Sequence, residues 1–260
     1  MAREPYFVQA FARGLEVITV FGPDQPDMTL SDVARAAGMS RATARRFLLT
    51  LVDLGYVRFD GKHFCLAPKV LGLGYSYVSS LSLPAVAEPH LERLTRITHE
   101  SSSLSVLDLP DIVYVARVPT SRIMRVAINI GTRFPAYATS MGRVLLGGLD
   151  EAVLDEYLQQ LVIEPLTSHT IRTRSQLGAA LDEARNQGYA LVDQELEPGL
   201  RSIAAPVRDR RGSVVAAVNV STHASRVTRD AARRTFLPPL LETIAEIEAD
   251  LGRMSPNGGV

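Results

Sequence analysis

Arg41, Arg45 and Arg46 follow Ser40 within one short stretch, and helical spacing would set all three on a single outward face. Guanidiniums displayed in that way bind phosphate oxygens and read guanine edges in a DNA major groove. Arg58, Lys62 and His63 come shortly after, flanking Asp60-Gly61. A second constellation, Ala138-Thr-Ser140-Met-Gly142, is one residue away from the G-x-S-x-G nucleophile elbow of serine hydrolases. A third is Gly131-Thr-Arg133, which leads toward the same serine. It could offer a guanidinium fork and the free N–H groups of a helix start to one anion.

The elbow reading is the weaker one. It needs a strand directly before the serine and an acid and histidine downstream, yet Pro135 stands five residues before Ser140. The later histidines, His169 and His223, have no triad context. The alternative function, a DNA-tethered serine hydrolase using Ser140, is carried on that motif alone; the favoured reading is that the chain is not an enzyme. The five histidines (63, 90, 99, 169 and 223) have no HxxxH or CxxC companion, so no metal and no other cofactor is expected.

The balance of 28 Lys and Arg against 28 Asp and Glu excludes a whole-chain polybasic binder, so any nucleic-acid surface must be local. No apolar run approaches the roughly 20 residues that span a bilayer, and Glu4, Gln9, Arg13 and Glu16 break up the N-terminal stretch. Cys65 is alone and reads as a small core residue, which makes a cytoplasmic location the default.

The elements that must position these groups can be read from periodicity. Val8, Phe11, Ala12, Leu15 and Ile18 form one apolar helical stripe ended by Gly22-Pro23, and a loop follows through Pro26. Thr29 to Asp32 has capping-box form and opens a short helix ending at Gly38; Ser40 caps the next, which runs to Gly55. Asp60-Gly61 predicts a type I′ turn between Tyr56–Phe59 and Lys62–Leu66. Pro68 starts an expected linker helix to about Ser80, and another amphipathic helix begins at Leu83-Pro84. Strands follow at 104–107, 112–116 and 124–130, then helices at 139–146 and 151–161 and one headed by Thr173-x-x-Gln176. Strands at 189–192, 202–208 and 214–221, one terminal helix from about Thr228 to Leu251, and an unstructured tail at 255–260 complete the reading.

The layout is α+β: a winged helix-turn-helix over residues 1–67, a linker helix over 68–81, and a second domain over 82–260 with a mainly antiparallel sheet of about six strands. Ala34, small where two helices cross, and Gly38, able to take positive φ, meet the demands of a helix-turn-helix. An αα-hairpin would use the same packing residues but has no reason to array arginines outward. With the second helix in a major groove, Arg41, Ala42 and Arg46 fall within reach of bases. Ser40, Thr43 and Arg45 suit phosphates, and the wing carries Arg58 and Lys62 to the backbone or minor groove. Residues 1–68 hold eight basic and seven acidic side chains, too small an excess for strong binding by one domain. Dimeric engagement of two half-sites is therefore expected.

The segments TLSDVARAAGMSRATARRFLLTLVDLGYV, GTRFPAYATSMGRVLLGGL and ALVDQELEPGLRSIAAPVRD, followed by GSVVAAVNVS, resemble the IclR family of bacterial transcription regulators across essentially the whole chain. YFVQAFARGLEVI and RVPTSRIMRVAINIGTRFPAYATSMGRVLL are similar to the subgroup that controls aromatic-acid catabolism through the β-ketoadipate pathway. The resemblance implies a GAF-like effector domain for a small organic acid, a pseudo-palindromic double-stranded DNA operator, and dimers, often paired into tetramers. It also implies effector contacts at Ser140, Met141, Asp193, Ser202, Asn219 and Ser221. The carboxylate of such an acid needs a buried guanidinium, for which Arg133 is the first choice and Arg201 the second. A structural salt bridge is the alternative role for both.

Overall fold

The computed structural model describes residues 6–22, 25–73, 82–120 and 128–254, in two compact units, Met1–Ser80 and Leu81–Val260. Most of the expected linker helix, most of the expected strand at 124–130 and the 255–260 tail lie outside the described residues.

In the first unit, α1 (Gln9–Thr19) precedes β1 (Asp27–Thr29), α2 (Leu30–Ala36), α3 (Arg41–Asp53), β2 (Val57–Phe59) and β3 (His63–Leu66). The capping box at Thr29 forms in both directions: Asp32 N donates to Thr29 Oγ1, and Asp32 Oδ2 accepts from the Thr29 amide at 3.2 Å. The Thr29 hydroxyl, which donates to Asp32 Oδ2 at 2.6 Å, and then the Thr29 amide hold the Asp32 carboxyl below its usual range. Gly38, at φ +60°, turns the chain into α3, whose amide at Thr43 donates to Ser40 Oγ at 3.2 Å. Val17, Phe21, Met28, Val33, Leu48, Leu51, Val57 and Phe64 make the core.

Three expectations change here. The loop through Pro26 ends in a strand, β1, which makes β3 the middle of a three-stranded sheet ordered β1-β3-β2. The wing turn is longer than the two-residue type I′: Phe59 pairs with Phe64, residues 60–62 form the loop, and His63 opens β3 opposite Thr29 of β1. Asp60 Oδ1 accepts from the amides of Lys62 and His63, so a carboxylate closes the turn that two residues were expected to close. The α1 stripe is also split: Val8, Phe11 and Leu15 are exposed, while Ile18 packs against the core beside buried Val17.

The second unit places six strands between two helical layers. Its elements are α4 (Ser82–Thr98), β4 (Ser101–Asp108), β5 (Asp111–Val118), β6 (Arg133–Pro135), α5 (Ser140–Gly147), α6 (Glu151–Gln160) and α7 (Arg174–Gln187). They continue with β7 (Ala190–Asp193), β8 (Leu200–Arg208), β9 (Val214–His223), α8 (Arg229–Thr235) and α9 (Leu237–Met254). The strand order is β6-β5-β4-β9-β8-β7, every neighbour antiparallel. Leu104, Val218, Val220 and Ile203 face α4 and α9, where Leu91, Leu94, Leu240 and Ile247 meet them. Ile112, Tyr114, Ala204 and Ala217 face α5 to α7, under Met141, Leu145, Leu177 and Leu181.

The expected single terminal helix is two. Pro238 and Pro239 lack the N–H groups a helix interior requires, so they occupy the opening of α9 while α8 ends before them. Among the described residues the strand that pairs with the outer edge of β5 is Arg133–Pro135, and 128–130 is not strand. No helix among the described residues is long and apolar enough to cross a membrane.

Candidate functional site

On the DNA-binding unit, Ser40, Arg41, Ala42, Arg45 and Arg46 are exposed along the first turns of α3, and Thr43 is half-buried, its Oγ1 2.9 Å from Ser40 Oγ. Arg58 projects from β2 and Lys62 from the wing loop, both exposed. None of Arg41, Arg45, Arg46, Arg58 and Lys62 has a carboxylate partner among the described residues, whereas Arg35 pairs with Asp32. The α3 face thus carries cations whose field is not neutralised locally, backed by a rigid apolar core.

In the second unit the structure gathers five of the expected effector residues and separates three. Ser202 and Ser221 are cross-strand partners on β8 and β9, and Asn219 lies two residues from Ser221 on the same face. Ser140, completely buried, extends from α5 to Ser202, with 2.8 Å between the hydroxyl oxygens. Met141 Sδ accepts from Ser105 Oγ at 3.2 Å. Asn219 Nδ2 donates to Ser221 Oγ at 3.0 Å, while its Oδ1 is buried without a hydrogen-bond partner. A buried polar atom left unpaired costs on the order of 1–3 kcal/mol, which a bound polar group would relieve.

Asp193 and Arg201 do not join this floor. The carboxylate accepts two hydrogen bonds from the guanidinium, at 2.8 and 3.0 Å, and Arg201 also donates to the carbonyls of Ala224 and Val227. The structural salt bridge is thus what the fold makes of Arg201. Arg133, the first choice as carboxylate anchor, is corrected by its surroundings. It sits at the surface with its side chain 43% exposed, donating to Asp108 and Asp111 at the β4–β5 turn. Those carboxylates, Asp108 first, raise its pKa and occupy its fork, so no buried guanidinium is available there.

The hydrolase constellation is also dismantled. Ser140 follows a 3-10 turn at Ala136–Ala138, not a strand, and Thr139 caps α5 by accepting from Gly142 N at 3.0 Å. Gly142 serves packing, since a Cβ there would lie 2.0 Å from the Ala136 carbonyl oxygen. His223 Nδ1 is 2.7 Å from Ser225 Oγ, and the Ser140 hydroxyl has Ser202 as its partner. Among the described residues no cluster of three or more His, Cys, Asp and Glu side chains could hold a metal.

Sequence reasoning missed Arg117, Ser103 and Ser105. Ser103 and Ser105 are fully buried on the same sheet face as Asn219, and Arg117 Nη1 donates to Ser103 Oγ at 3.3 Å. The S-S-S-x-S run at 101–105 was a usable signal, because hydroxyls alternating along a central strand line one buried face.

Comparison with known proteins agrees with these two units. Residues 10–61 match the IclR helix-turn-helix domain and residues 75–249 the C-terminal domain of bacterial IclR transcriptional regulators. The chain is 44% identical to the Pca regulon regulatory protein of Pseudomonas putida, over 92% of this chain and 82% of that one. It is 37% identical to the p-hydroxybenzoate hydroxylase transcriptional activator of Acinetobacter baylyi, over 93% and 91%. Among solved structures, a protein of Rhodococcus sp. RHA1 assigned as a transcriptional regulator superposes with TM-score 0.86 at 57% identity, covering 96% of this chain and all of that one. An IclR homologue from Microbacterium hydrocarbonoxydans in complex with 4-hydroxybenzoate superposes at 0.83 and 26% identity, covering 94% and 100%. These relatives are regulators and not hydrolases, and the chain belongs to the IclR family of bacterial transcription regulators.

Proposed function

We propose that this regulator senses a small organic acid of aromatic catabolism on the polar floor formed by β4, β9 and β8 beneath the start of α5. The observation that carries this reading is the buried, unpartnered Oδ1 of Asn219 amid Ser103, Ser202, Ser221 and Ser140. A core that keeps so many hydroxyls and leaves an amide oxygen unpaired is built for a polar guest. The relatives' association with the Pca regulon and with 4-hydroxybenzoate narrows the guest to a carboxylate on a short carbon frame. Thermal-shift titration of the full chain with 4-hydroxybenzoate, protocatechuate, muconate and β-ketoadipate tests it. An acid at 100 times its dissociation constant adds about 2.7 kcal/mol of stability. No shift with any of them overturns the reading.

The effector reading leaves residues 1–67, 68–81 and 82–260 as DNA-binding, linking and sensing segments. On the operator, Arg41, Ala42 and Arg46 contact bases, while Ser40, Thr43, Arg45, Arg58 and Lys62 hold the backbone. Engagement is by a homodimer, with pairing of dimers following the family. Supporting this, Val8, Phe11 and Leu15 leave α1 with an exposed apolar stripe of the kind a second copy covers. Sedimentation of the chain on operator DNA as a single protomer per site would argue against it.

A further inference from the structure

The arginines buried most deeply in the effector unit are neutralised: Arg143 by Glu195 and Arg201 by Asp193. Arg117 is different. Among the described residues its hydrogen-bond partner is the neutral hydroxyl of Ser103, and no carboxylate lies within ion-pair distance. Partial burial draws its guanidinium below the ordinary range, opposed by the neighbouring Tyr114 phenol, whose own pKa burial pushes up to about 12. A partly desolvated cation with no counter-charge among the described residues is unfavourable in the empty protein and favourable to any anion that reaches it.

An irregularity in the sheet decides where this cation points. The β4–β5 register shifts between Leu104 and Ser105: Leu104 pairs with Ala116 and Ser105 with Tyr114, so Val115 is the extra residue. Val113, Val115 and Ala116 all pack on the α4–α9 side, and Tyr114 on the α5 side. With strict alternation Arg117 would share the side of Val113 and Val115. The bulge reverses the parity and places it opposite Ser103, on the face that carries Asn219.

We propose that Arg117 is the anchor for the effector's carboxylate, held over Ser103, and that the unpartnered amide of Asn219 receives the polar group at the far end of the same molecule. This rests on the effector floor described above. Arg117 and Asn219 stand on strands either side of β4, each about 4.8 Å from it. The arginine side chain reaches inward over Ser103 and shortens that span. The ligand class is therefore an acid whose carboxylate and second hydrogen-bonding group are separated by a short frame, such as a hydroxylated benzoate or a six-carbon keto diacid.

Isothermal calorimetry on the full chain, with 4-hydroxybenzoate, benzoate and β-ketoadipate as probes, tests both ends. Arg117→Ala is expected to weaken the best-bound acid by at least about thirtyfold, because a buried carboxylate loses its only charge partner on the floor. Arg117→Lys should recover part of that affinity, keeping the charge and losing the fork, and also serves if the alanine variant fails to fold. Asn219→Ala should weaken 4-hydroxybenzoate more than benzoate, which has no second polar group. Wild-type affinity in both Arg117 variants, with binding lost in Ser202→Val, would remove Arg117 as anchor and leave the floor in place. Wild-type affinity in the Arg117, Asn219 and Ser202 variants alike would overturn the floor and the anchor together.

Discussion

The two units use arginine in opposite ways. On α3, Arg41, Arg45 and Arg46 are exposed and lack carboxylate partners among the described residues, while in the effector unit Arg143 and Arg201 are buried and closed on Glu195 and Asp193. An exposed cation costs the fold little and stays available to a polyanion. A buried one must be matched inside the protein, and once matched it ties elements together instead of binding ligand. Arg143 illustrates this, bridging α5 to the Tyr137 carbonyl and to the loop after β7. Chemistry at a guanidinium is thus read from its partner list as much as from its residue type.

The sharpest way to break this contrast is Arg143→Ala. It would strand Glu195 in a buried site and should destabilise the effector unit by about 3–5 kcal/mol, measured by denaturant unfolding of the full chain. A loss within the ±0.5 kcal/mol typical of surface positions would put Arg143 with the α3 arginines and end the comparison.

Next in size is the reverse case. Arg41→Ala should leave unfolding unchanged within about 0.5 kcal/mol, yet cost roughly 1–3 kcal/mol in operator affinity and relax preference at one position. Lys62→Ala should weaken all sequences alike and reduce the salt slope by about one. Fluorescence anisotropy across a salt series separates the two, and sequence-independent loss from Arg41→Ala would reassign it to the backbone.

The smallest effect sharpens what holds the α3 scaffold in place. Thr29→Ala removes the capping box of α2 and should cost about 1 kcal/mol. Part of the cap also titrates: because Thr29 holds the Asp32 carboxyl low in the folded state, the carboxylate's share is present above the unfolded carboxylate pKa and is lost as pH falls through the lowered folded value. Relative to its own neutral stability, the wild type should therefore lose more on acidification than Thr29→Ala, and the gap between the two should narrow as Asp32 protonates. Identical pH profiles for wild type and Thr29→Ala would detach Asp32 from the cap.

The family segments and the helix-turn-helix were legible because their signals are local. A capping box joins residues three apart, as at Thr29–Asp32 and Thr173–Gln176, and both form as read; so do the positive φ of Gly38 and the Ser40 cap. The family resemblance, and not periodicity, supplied Ser140, Met141, Ser202, Asn219 and Ser221, which do meet on one polar face of the sheet. What the sequence by itself determined, then, was the caps and turns made between near neighbours, the exposed and buried sides of strands where alternation runs unbroken, and the family. Tertiary structure alone decided which arginine faces the floor. Arg133 is drawn away by aspartates 22 and 25 residues distant, Arg201 by a strand neighbour and two distant carbonyls, and Arg117 is turned inward by one extra residue in β5. Partners far apart in the chain and a one-residue register shift leave no periodic trace, because each is set by how strands meet in space and not by the spacing of residues along them.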